Sequence, residues 1–318
     1  MEVINGIPAA GFYIPNAALS IGVFDGLHQG HRELLNQVVE FSRRHELKSL
    51  VLTFSVSPAM LMSRHIQPEF LTTEREKAQI LAQLGIDWMW SFPFDEQIRN
   101  MTYLEFWKDR IDRYMHVAAY FCGDEHAFGR DKGGDVTTLT DLSRREEFQI
   151  FPIHVVQDHQ LKISSSHIRQ LIKDGYIDEA NQRLGYAYPL RGRVVTGDGL
   201  GRKLGFPTAN LTPETNKLIP APGVYAGQAA VRHAVYSCLI YIGRRPSIPH
   251  REMPGPVRIE SYLLDFDQDI YGEELDLQFF RKIRDDKFFN TIDALRHQIN
   301  HDVSVCRQQP IGYHEMPH

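Results

Sequence analysis

The sequence predicts a two-domain protein, in which an α/β domain with a parallel sheet precedes a mostly antiparallel β-barrel with a C-terminal helix. Three observations support this fold class. The chain has 318 residues, enough for two domains of ordinary size. Short apolar runs alternate with helical patterns up to about residue 175. After Leu184 the pattern changes to short β-rich runs separated by Gly, Pro and Asp.

The alternation in the first half indicates a parallel sheet, because short buried strands separated by helices form βαβ units. Thr102 is predicted to be a helix N-cap, and Gly85 follows the last apolar position of another helix. The predicted strands are 18–24, 49–54, 88–94, 117–123 and 148–156, and the predicted helices are 31–45, 74–85 and 102–115.

The second half is typical of a compact antiparallel barrel. Its β-rich runs are 190–197, 223–231, 236–243, 258–266 and 274–280. A final helix is predicted over about Ile292–Ile299, and the polar tail that follows, with Pro and Gly, is expected to be loose. The predicted domains are therefore 1–184 and 185–306, with a tail at 307–318 and a boundary near 183–188.

Composition excludes several classes of protein. Hydrophobic residues make up 42% and charged residues 24%, and the net charge of -5 argues against nucleic acid as a partner. The sequence has no run of about 18 apolar residues, so no membrane span is predicted. Three widely spaced cysteines predict neither a disulfide framework nor a Cys-based zinc site, and the N-terminus does not resemble a signal peptide. We expect a cytoplasmic protein; the sequence does not indicate its oligomeric state.

The segment GVFDGLHQGH (Gly22–His31) lies where a predicted strand ends and a helix begins. In open α/β sheets ligands bind beyond the carboxyl ends of strands, and the N–H groups of a helix start attract phosphate. His28 and His31 share one helical face and can donate hydrogen bonds to phosphoryl oxygens. The glycines that leave room for a phosphate are Gly22, Gly26 and Gly30.

Two other interpretations of this segment stay open. It could be a glycine-rich turn with surface histidines, or a metal site at the two histidines. The metal site is less favoured, because zinc needs three or four ligands and no third ligand is evident nearby.

A second segment, KISSSHIRQLI (162–172), favours the phosphate interpretation. It opens a helix with Ser164, Ser165 and Ser166, of which an N-cap needs only one. Arg169 adds a side chain that can hold a phosphate in a bidentate manner.

The string TGDGLGRKLGFPTAN (196–210) predicts a second phosphate site in the other half of the chain. Glycines and cations that can surround phosphates are Gly197, Gly199, Gly201, Arg202, Lys203 and Gly205. Pro207 is followed by the hydroxyl of Thr208 and the amide oxygen of Asn210, and oxygen ligands of this type suit Mg²⁺. The alternative is an ordinary glycine-rich β-turn, which would not account for the PTAN residues that follow.

The first two segments resemble motifs of the nucleotidyltransferase superfamily, GxFDGxHxGH and ISSTxIR. Their order and separation are similar to the adenylyltransferase half of prokaryotic bifunctional riboflavin kinase/FAD synthetases. The resemblance implies a Rossmann-like domain that transfers AMP from ATP to FMN and releases pyrophosphate. It implies catalytic roles for His28, His31 and Arg169 and ATP contacts for Gly22, Phe24, Asp25, Gly30, Ser164, Ser165 and Ser166.

The third segment resembles the GxxxGxxLGFPTAN motif of riboflavin kinases, and the resemblance covers about residues 18 to 302 in all. It implies that the barrel phosphorylates riboflavin to FMN with ATP, and that Mg²⁺ is bound by Thr208 and Asn210. Glu260 is implied as the general base for the attacking hydroxyl. The implied ATP contacts are Gly197, Gly199, Gly201, Lys203, Gly205 and Pro207.

Three segments depart from the family pattern on the flavin side. TFSVSP (53–58), GDEHAFG (123–129) and IGRRPSI (242–248) stand where TFxPHP, GxxFxFG and IGxxPTF are usual. The flavin pocket of the first domain is predicted at Ser57, Pro58, His126 and Phe128. These departures leave open a divergent paralogue with one activity or an altered acceptor, another nucleotidyltransferase, and a non-catalytic flavin-binding regulator.

Overall fold

The computed structural model describes residues 1–55, 69–154, 157–158, 161–244 and 257–308. They form two compact units, Met1–Ile163 and a unit that begins at Ser164. No helix of the described ranges is both long and apolar enough to cross a membrane.

The first unit is a parallel sheet with helices, as predicted. Six strands pair in the order β1-β4-β3-β2-β5-β8, and every pair is parallel. Its strands are β1 (Glu2–Asn5), β2 (Ile14–Ile21), β3 (Lys48–Phe54), β4 (Trp88–Phe92), β5 (Met115–Gly123), β6 (Ala127–Phe128), β7 (Gly134–Asp135), β8 (Gln149–Ile153), β9 (Gln157–Asp158) and β10 (Leu161–Lys162). Its helices are α1 (Gln29–Arg44), α2 (Glu74–Leu84), α3 (Glu96–Asn100), α4 (Tyr103–Phe106), a π-helical turn (Trp107–Asp112) and α5 (Val136–Arg145).

Local signals in the sequence explain where these helices begin and end. Thr102 caps α4, as predicted, and its side chain shares a capping box with Glu105. Thr73 forms the same motif at the start of α2, and Gly85 ends that helix in the left-handed region, at φ 87°. The central strands β2, β3 and β5 are almost wholly buried, because helices cover both faces of the sheet.

The strand predicted at 18–24 is misplaced. β2 spans Ile14–Ile21, and the backbone leaves the extended conformation at Phe24, where φ is +48°. The residues between Ile21 and Gln29 therefore form a loop at the carboxyl end of a central strand.

The second unit is a closed antiparallel barrel, also as predicted, with strand order β11-β12-β15-β14-β13-β16. Its elements are α6 (Ser165–Asp174), α7 (Ile177–Leu184), β11 (Tyr188–Val195), α8 (Leu200–Leu204), β12 (Ala209–Pro213), β13 (Gly223–Val231), β14 (Ala234–Arg244), β15 (Val257–Leu263), β16 (Glu274–Arg284) and α9 (Ile292–Arg307).

Helices α6 and α7 pack on the barrel. The Asn181 side chain donates to the carbonyl oxygen of Phe279 at 2.8 Å and accepts from the amide of Tyr188 at 2.8 Å. The amide of Ala221 donates to the carbonyl oxygen of Ile172 at 3.2 Å. The domain bounds 1–184 and 185–306 stay a prediction.

The prediction of a final helix over Ile292–Ile299 is too short, because α9 continues to Arg307. Two residues of its second half are buried against the barrel. Asp302 is 1% exposed and pairs with Arg284, and Cys306 is 3% exposed. The tail that is expected to be loose lies, after Gln308, outside the described residues, so this expectation stays a prediction.

The ion pair between Asp302 and Arg284 gives a prediction for stability. The two side chains are only 2% and 17% exposed and lie 2.9 Å apart, so Asp302→Ala leaves a buried guanidinium without its partner. We expect a loss of about 3 kcal/mol, or a fall of about 6 to 12 °C in the melting temperature of the barrel, by calorimetry. Asp293→Ala is the control on the same helix, because its side chain is 95% exposed. Equal melting temperatures for the two variants would contradict the assignment.

Candidate active sites

The loop between β2 and α1 brings the predicted residues Gly22–His31 to the carboxyl end of the sheet. His28 is the N-cap of α1, and its Nδ1 accepts a hydrogen bond from the amide of His31 at 3.4 Å. Phe24 and Leu27 have positive φ angles of 48° and 37°. Such angles cost a residue with a side chain of order 1–3 kcal/mol and cluster at ligand-binding sites. The loop is therefore strained where a phosphate is expected.

Asp25 holds this loop from inside the protein. Its carboxylate is buried and accepts hydrogen bonds from the amides of Leu71 and Thr72, at 3.2 and 3.1 Å. The Thr72 hydroxyl donates to the same carboxylate at 3.3 Å and accepts from the amide of Gly26 at 3.0 Å. The geometry makes Asp25 a structural support of the loop.

A buried lysine that the sequence analysis did not single out lies under the same loop. Lys77 of α2 is 4% exposed, and its Nζ donates to the carbonyl oxygen of Val23 at 2.7 Å and to Thr53 Oγ1 at 3.0 Å. Burial lowers the pKa of Lys77 from 10.5 to about 8, although Asp25 and Glu74 oppose the shift. One signal was available: Lys77 stands four residues before the buried Leu81, on the buried face of the predicted helix.

The two histidines lie face to face. Their ring centroids are 3.7 Å apart at an angle of 17°, and Phe24 meets His31 edge-on at 5.3 Å. Burial lowers the pKa of His28 to about 4 and that of His31 well below its usual value, so both rings are neutral at pH 7. The Nδ1 atom of His31 is buried and has no hydrogen-bond partner among the described residues.

A metal site at the two histidines would need further ligands nearby. Across the described ranges, no group of three or more His, Cys, Asp or Glu side chains is arranged to hold a metal ion.

The serine segment begins α6 as predicted. Ser164 is the N-cap, and its Oγ accepts from the amide of His167 at 3.3 Å. Ser165 and Ser166 are the first two helical residues, and Arg169 is half-buried one turn later. The segment belongs to the unit that begins at Ser164, and its cooperation with Gly22–His31 stays a prediction.

His126, the unusual residue of the first domain, has a polar partner. Its Nε2 lies 2.8 Å from the hydroxyl of Tyr120, which is fully buried. Burial lowers the pKa of His126 to about 4, so the neutral ring can accept a hydrogen bond from the phenol. Phe128 is buried and packs on Phe106 at 5.6 Å. The other predicted flavin residues, Ser57 and Pro58, lie outside the described residues.

In the second unit, the glycine-rich string borders a cavity of about 930 Å³ beside the barrel and α9. The predicted residues that line it are Gly197, Gly199, Gly201, Pro207, Thr208, Asn210 and Glu260. Arg202 also lines it, whereas Lys203 and Gly205 are exposed and lie outside the lining. Residues Leu200–Leu204 are a short helix, α8, rather than the continuous loop that the glycines indicate.

Three residues of this site are fixed by strand pairing and one hydrogen bond. Asn210 on β12 lies directly opposite Glu260 on β15, and the Thr208 hydroxyl donates to Glu260 Oε2 at 3.1 Å. Glycine at position 197 leaves room for the Asn210 side chain in this position, because a Cβ there would lie 2.2 Å from Asn210 Nδ2. The string and Glu260, 50 residues apart in sequence from Asn210, thus meet in one place.

The oxygen atoms of these side chains fit a magnesium ion that binds together with nucleotide phosphates. Thr208 offers a hydroxyl oxygen and Asn210 an amide oxygen, and the Glu260 carboxylate lies beside them. Mg²⁺ is usually held by one or two carboxylates together with phosphate oxygens and water, rather than by a complete protein cage.

Two family models match the chain in succession. One is described as FAD synthetase and matches residues 13–167; the other is described as riboflavin kinase and matches residues 184–309. A crystal structure described as a macrolide-efflux protein from Streptococcus pneumoniae has a TM-score of 0.86 and 29% identity, and the match covers 97% of this chain and 99% of that chain.

Relatives named bifunctional riboflavin kinase/FMN adenylyltransferase match over most of their length. That of Listeria monocytogenes is 33% identical over 299 residues, 92% of each chain. Those of Escherichia coli K12 and Bacillus subtilis are 33% and 30% identical, and each match covers more than 90% of both chains. The chain therefore belongs to the bifunctional riboflavin kinase/FMN adenylyltransferase family.

Proposed function

We propose that this chain makes FAD in two steps: the barrel phosphorylates riboflavin to FMN, and the α/β unit transfers AMP from ATP to FMN. The observation that carries the proposal is the meeting of Thr208, Asn210 and Glu260 at one cavity, on a chain that also has the His28–His31 loop at the end of β2. A cytoplasmic location stays part of the proposal.

For adenylyl transfer, an oxygen of the FMN phosphate attacks the α-phosphorus of ATP. The bond from that phosphorus to the bridging oxygen breaks, and pyrophosphate leaves. A phosphate nucleophile needs no base at neutral pH, so the protein mainly orients the reactants and stabilises negative charge. Neutral His28 and His31 each donate one N–H, and Lys77 places a positive charge beneath the loop. We assign Arg169 and the serines of α6 to the same nucleotide.

Asp25 and Phe24 act on ATP through the loop. The Asp25 carboxylate accepts hydrogen bonds from the amides of Leu71 and Thr72, and the Phe24 ring packs against His31. A Cβ at Gly22 would lie 3.0 Å from the Phe24 ring, so glycine there leaves room for that ring, and we assign Gly22 and Gly30 to the loop that receives the triphosphate.

For the kinase step, the terminal hydroxyl of riboflavin attacks the γ-phosphorus of ATP, and ADP leaves. This hydroxyl must lose its proton, and the Glu260 carboxylate is the base within the cavity. Thr208 orients the carboxylate by its hydrogen bond of 3.1 Å. When bound by Thr208 and Asn210, Mg²⁺ would neutralise phosphate charge in this site. The glycine-rich string and Pro207 border the same phosphates.

A protein with only one activity, or a flavin-binding regulator, is not favoured. Such a protein would have no need to keep both sets of residues. His126 is a predicted flavin residue that departs from the family pattern. Its hydrogen bond with Tyr120 gives it a role within the fold.

Single variants should separate the two reactions. With riboflavin, ATP and Mg²⁺, His31→Ala should accumulate FMN without FAD, because only the adenylyl site loses a donor. Glu260→Gln should form no FMN but still convert added FMN to FAD, because an amide cannot accept the hydroxyl proton. Products are separated by chromatography. Loss of both activities from either change in a folded protein would refute two independent sites.

Lys77→Met tests the buried charge. We expect about tenfold slower FAD formation at pH 7, equivalent to about 1.4 kcal/mol of transition-state stabilisation, with riboflavin phosphorylation unchanged. The pKa of Lys77 is about 8, so the wild-type lysine loses its charge as pH rises through this value. The difference between the two proteins should therefore shrink by pH 9.

The control for this change is Lys48→Met, at an exposed lysine of the same unit. A rate ratio for Lys77→Met that is equal at pH 7 and pH 9 would contradict a role for the charge. Burial of the ammonium costs about 3 kcal/mol relative to the neutral amine, by the lowering of the pKa from 10.5 to about 8. The variant should consequently keep its melting temperature.

A further inference from the structure

A row of side chains crosses the barrel surface that faces the cavity. Strand register aligns Asn210 with Glu260, Glu260 with Tyr241, Tyr241 with Val224, and Val224 with Arg284. All five residues line the cavity. Register partners in antiparallel strands have Cβ atoms about 4.5–5.5 Å apart and point to the same face. Tyr241 is thus the immediate neighbour of Glu260 on the side away from Asn210.

The phenol of Tyr241 is held in place by two features. Its hydroxyl donates to Asp286 Oδ2 at 3.2 Å, and its ring lies over Gly243. A Cβ at Gly243 would lie 2.0 Å from the phenol oxygen, so only glycine permits this position. The side chain is half-buried and packs beside Val224 and Leu239.

The hydrogen-bonding capacity of Tyr241 is therefore one-sided. A phenol has a single proton to donate, and its hydrogen bond is directed at Asp286 Oδ2. Burial and the nearby carboxylates of Asp286 and Glu260 raise the pKa of Tyr241 to about 12, opposed by Arg284, so the hydroxyl stays protonated at neutral pH. Towards the cavity it presents lone pairs, which accept hydrogen bonds.

Neighbouring groups share this preference. Glu260 and Asp286 are carboxylates, which only accept when ionised. Phosphate oxygens also only accept, so they gain no hydrogen bond from Glu260, Asp286 or the Tyr241 lone pairs. Hydroxyl groups can donate, and a polyhydroxyl chain is the part of a flavin substrate that offers several of them.

We propose that Tyr241 binds the hydroxyl-bearing chain of the acceptor and holds its terminal hydroxyl beside Glu260. This inference rests on the proposed kinase function and adds the residue that positions the acceptor. Asp286 acts through Tyr241, since it accepts the hydrogen bond of the phenol and thereby fixes the direction of the lone pairs.

Tyr241→Phe tests the proposal, because it removes the hydroxyl and keeps the ring. Two probes are compared by equilibrium titration of flavin fluorescence: riboflavin, and lumiflavin, which has the same ring system without the polyhydroxyl chain. We expect the Kd for riboflavin to rise about tenfold and the Kd for lumiflavin to stay within about twofold. In steady-state assays the KM for riboflavin should rise and kcat should fall, with the KM for ATP unchanged.

Tyr176→Phe is the matched control, since Tyr176 is 58% exposed and lies outside the cavity lining. Conversion of FMN to FAD by the same protein checks that the variant is folded. Equal weakening of both probes, or no weakening of riboflavin, would overturn the role of Tyr241. Failure of the wild-type protein to phosphorylate riboflavin would instead refute the proposed function itself.

Discussion

Buried charged side chains are the constraint on which the loop after β2 in the α/β unit and the cavity beside the barrel both depend. In the α/β unit, Asp25 and Lys77 are buried and bond to main-chain groups of the surrounding loops. Beside the barrel, Asp302 and Arg284 join α9 to β16 at the edge of the cavity. A buried charge is tolerated only when it is paired or hydrogen-bonded. These contacts therefore connect the loop after β2 with α2 and the residues before it in one unit, and α9 with β16 in the other.

The sequence predicts the architecture well because its evidence is repeated along the chain. Alternating strand and helix patterns indicate the parallel sheet, and both capping signals and glycines mark helix ends such as Thr102 and Gly85. The ends of individual elements are less secure. The loop after β2 begins earlier than the apolar run implies, since the run continues through Val23 and Phe24 into a strained turn.

The candidate sites could be predicted only where their residues are close together in sequence. Motifs such as Gly22–His31 and the PTAN string are contiguous, and Glu260 was reached through the family resemblance. Lys77, Asp302 and Tyr241 have no motif. A lysine or an aspartate in a helix is typical of a solvated face, and only the fold reveals that these two are buried. Tyr241 is placed beside Glu260 by the pairing of β14 with β15, which no local sequence pattern indicates.

The structure also explains one departure from the family pattern, the histidine at position 126. His126 stands where an aromatic residue is usual, and the buried Tyr120 hydroxyl needs the acceptor that His126 supplies. Substitution of one without the other would leave a buried polar group unsatisfied. The unusual residue therefore belongs to a pair, and its presence is compatible with an intact nucleotide loop elsewhere in the unit.

The central claim is that two different phosphorus transfers occur on one chain, and the position of a radioactive label in the products tests it most directly. From riboflavin and γ-labelled ATP, the account predicts labelled FMN that passes its label to FAD. From α-labelled ATP, it predicts labelled FAD and unlabelled FMN. Label from the α-position in FMN, or FAD that carries none of it, would contradict the account.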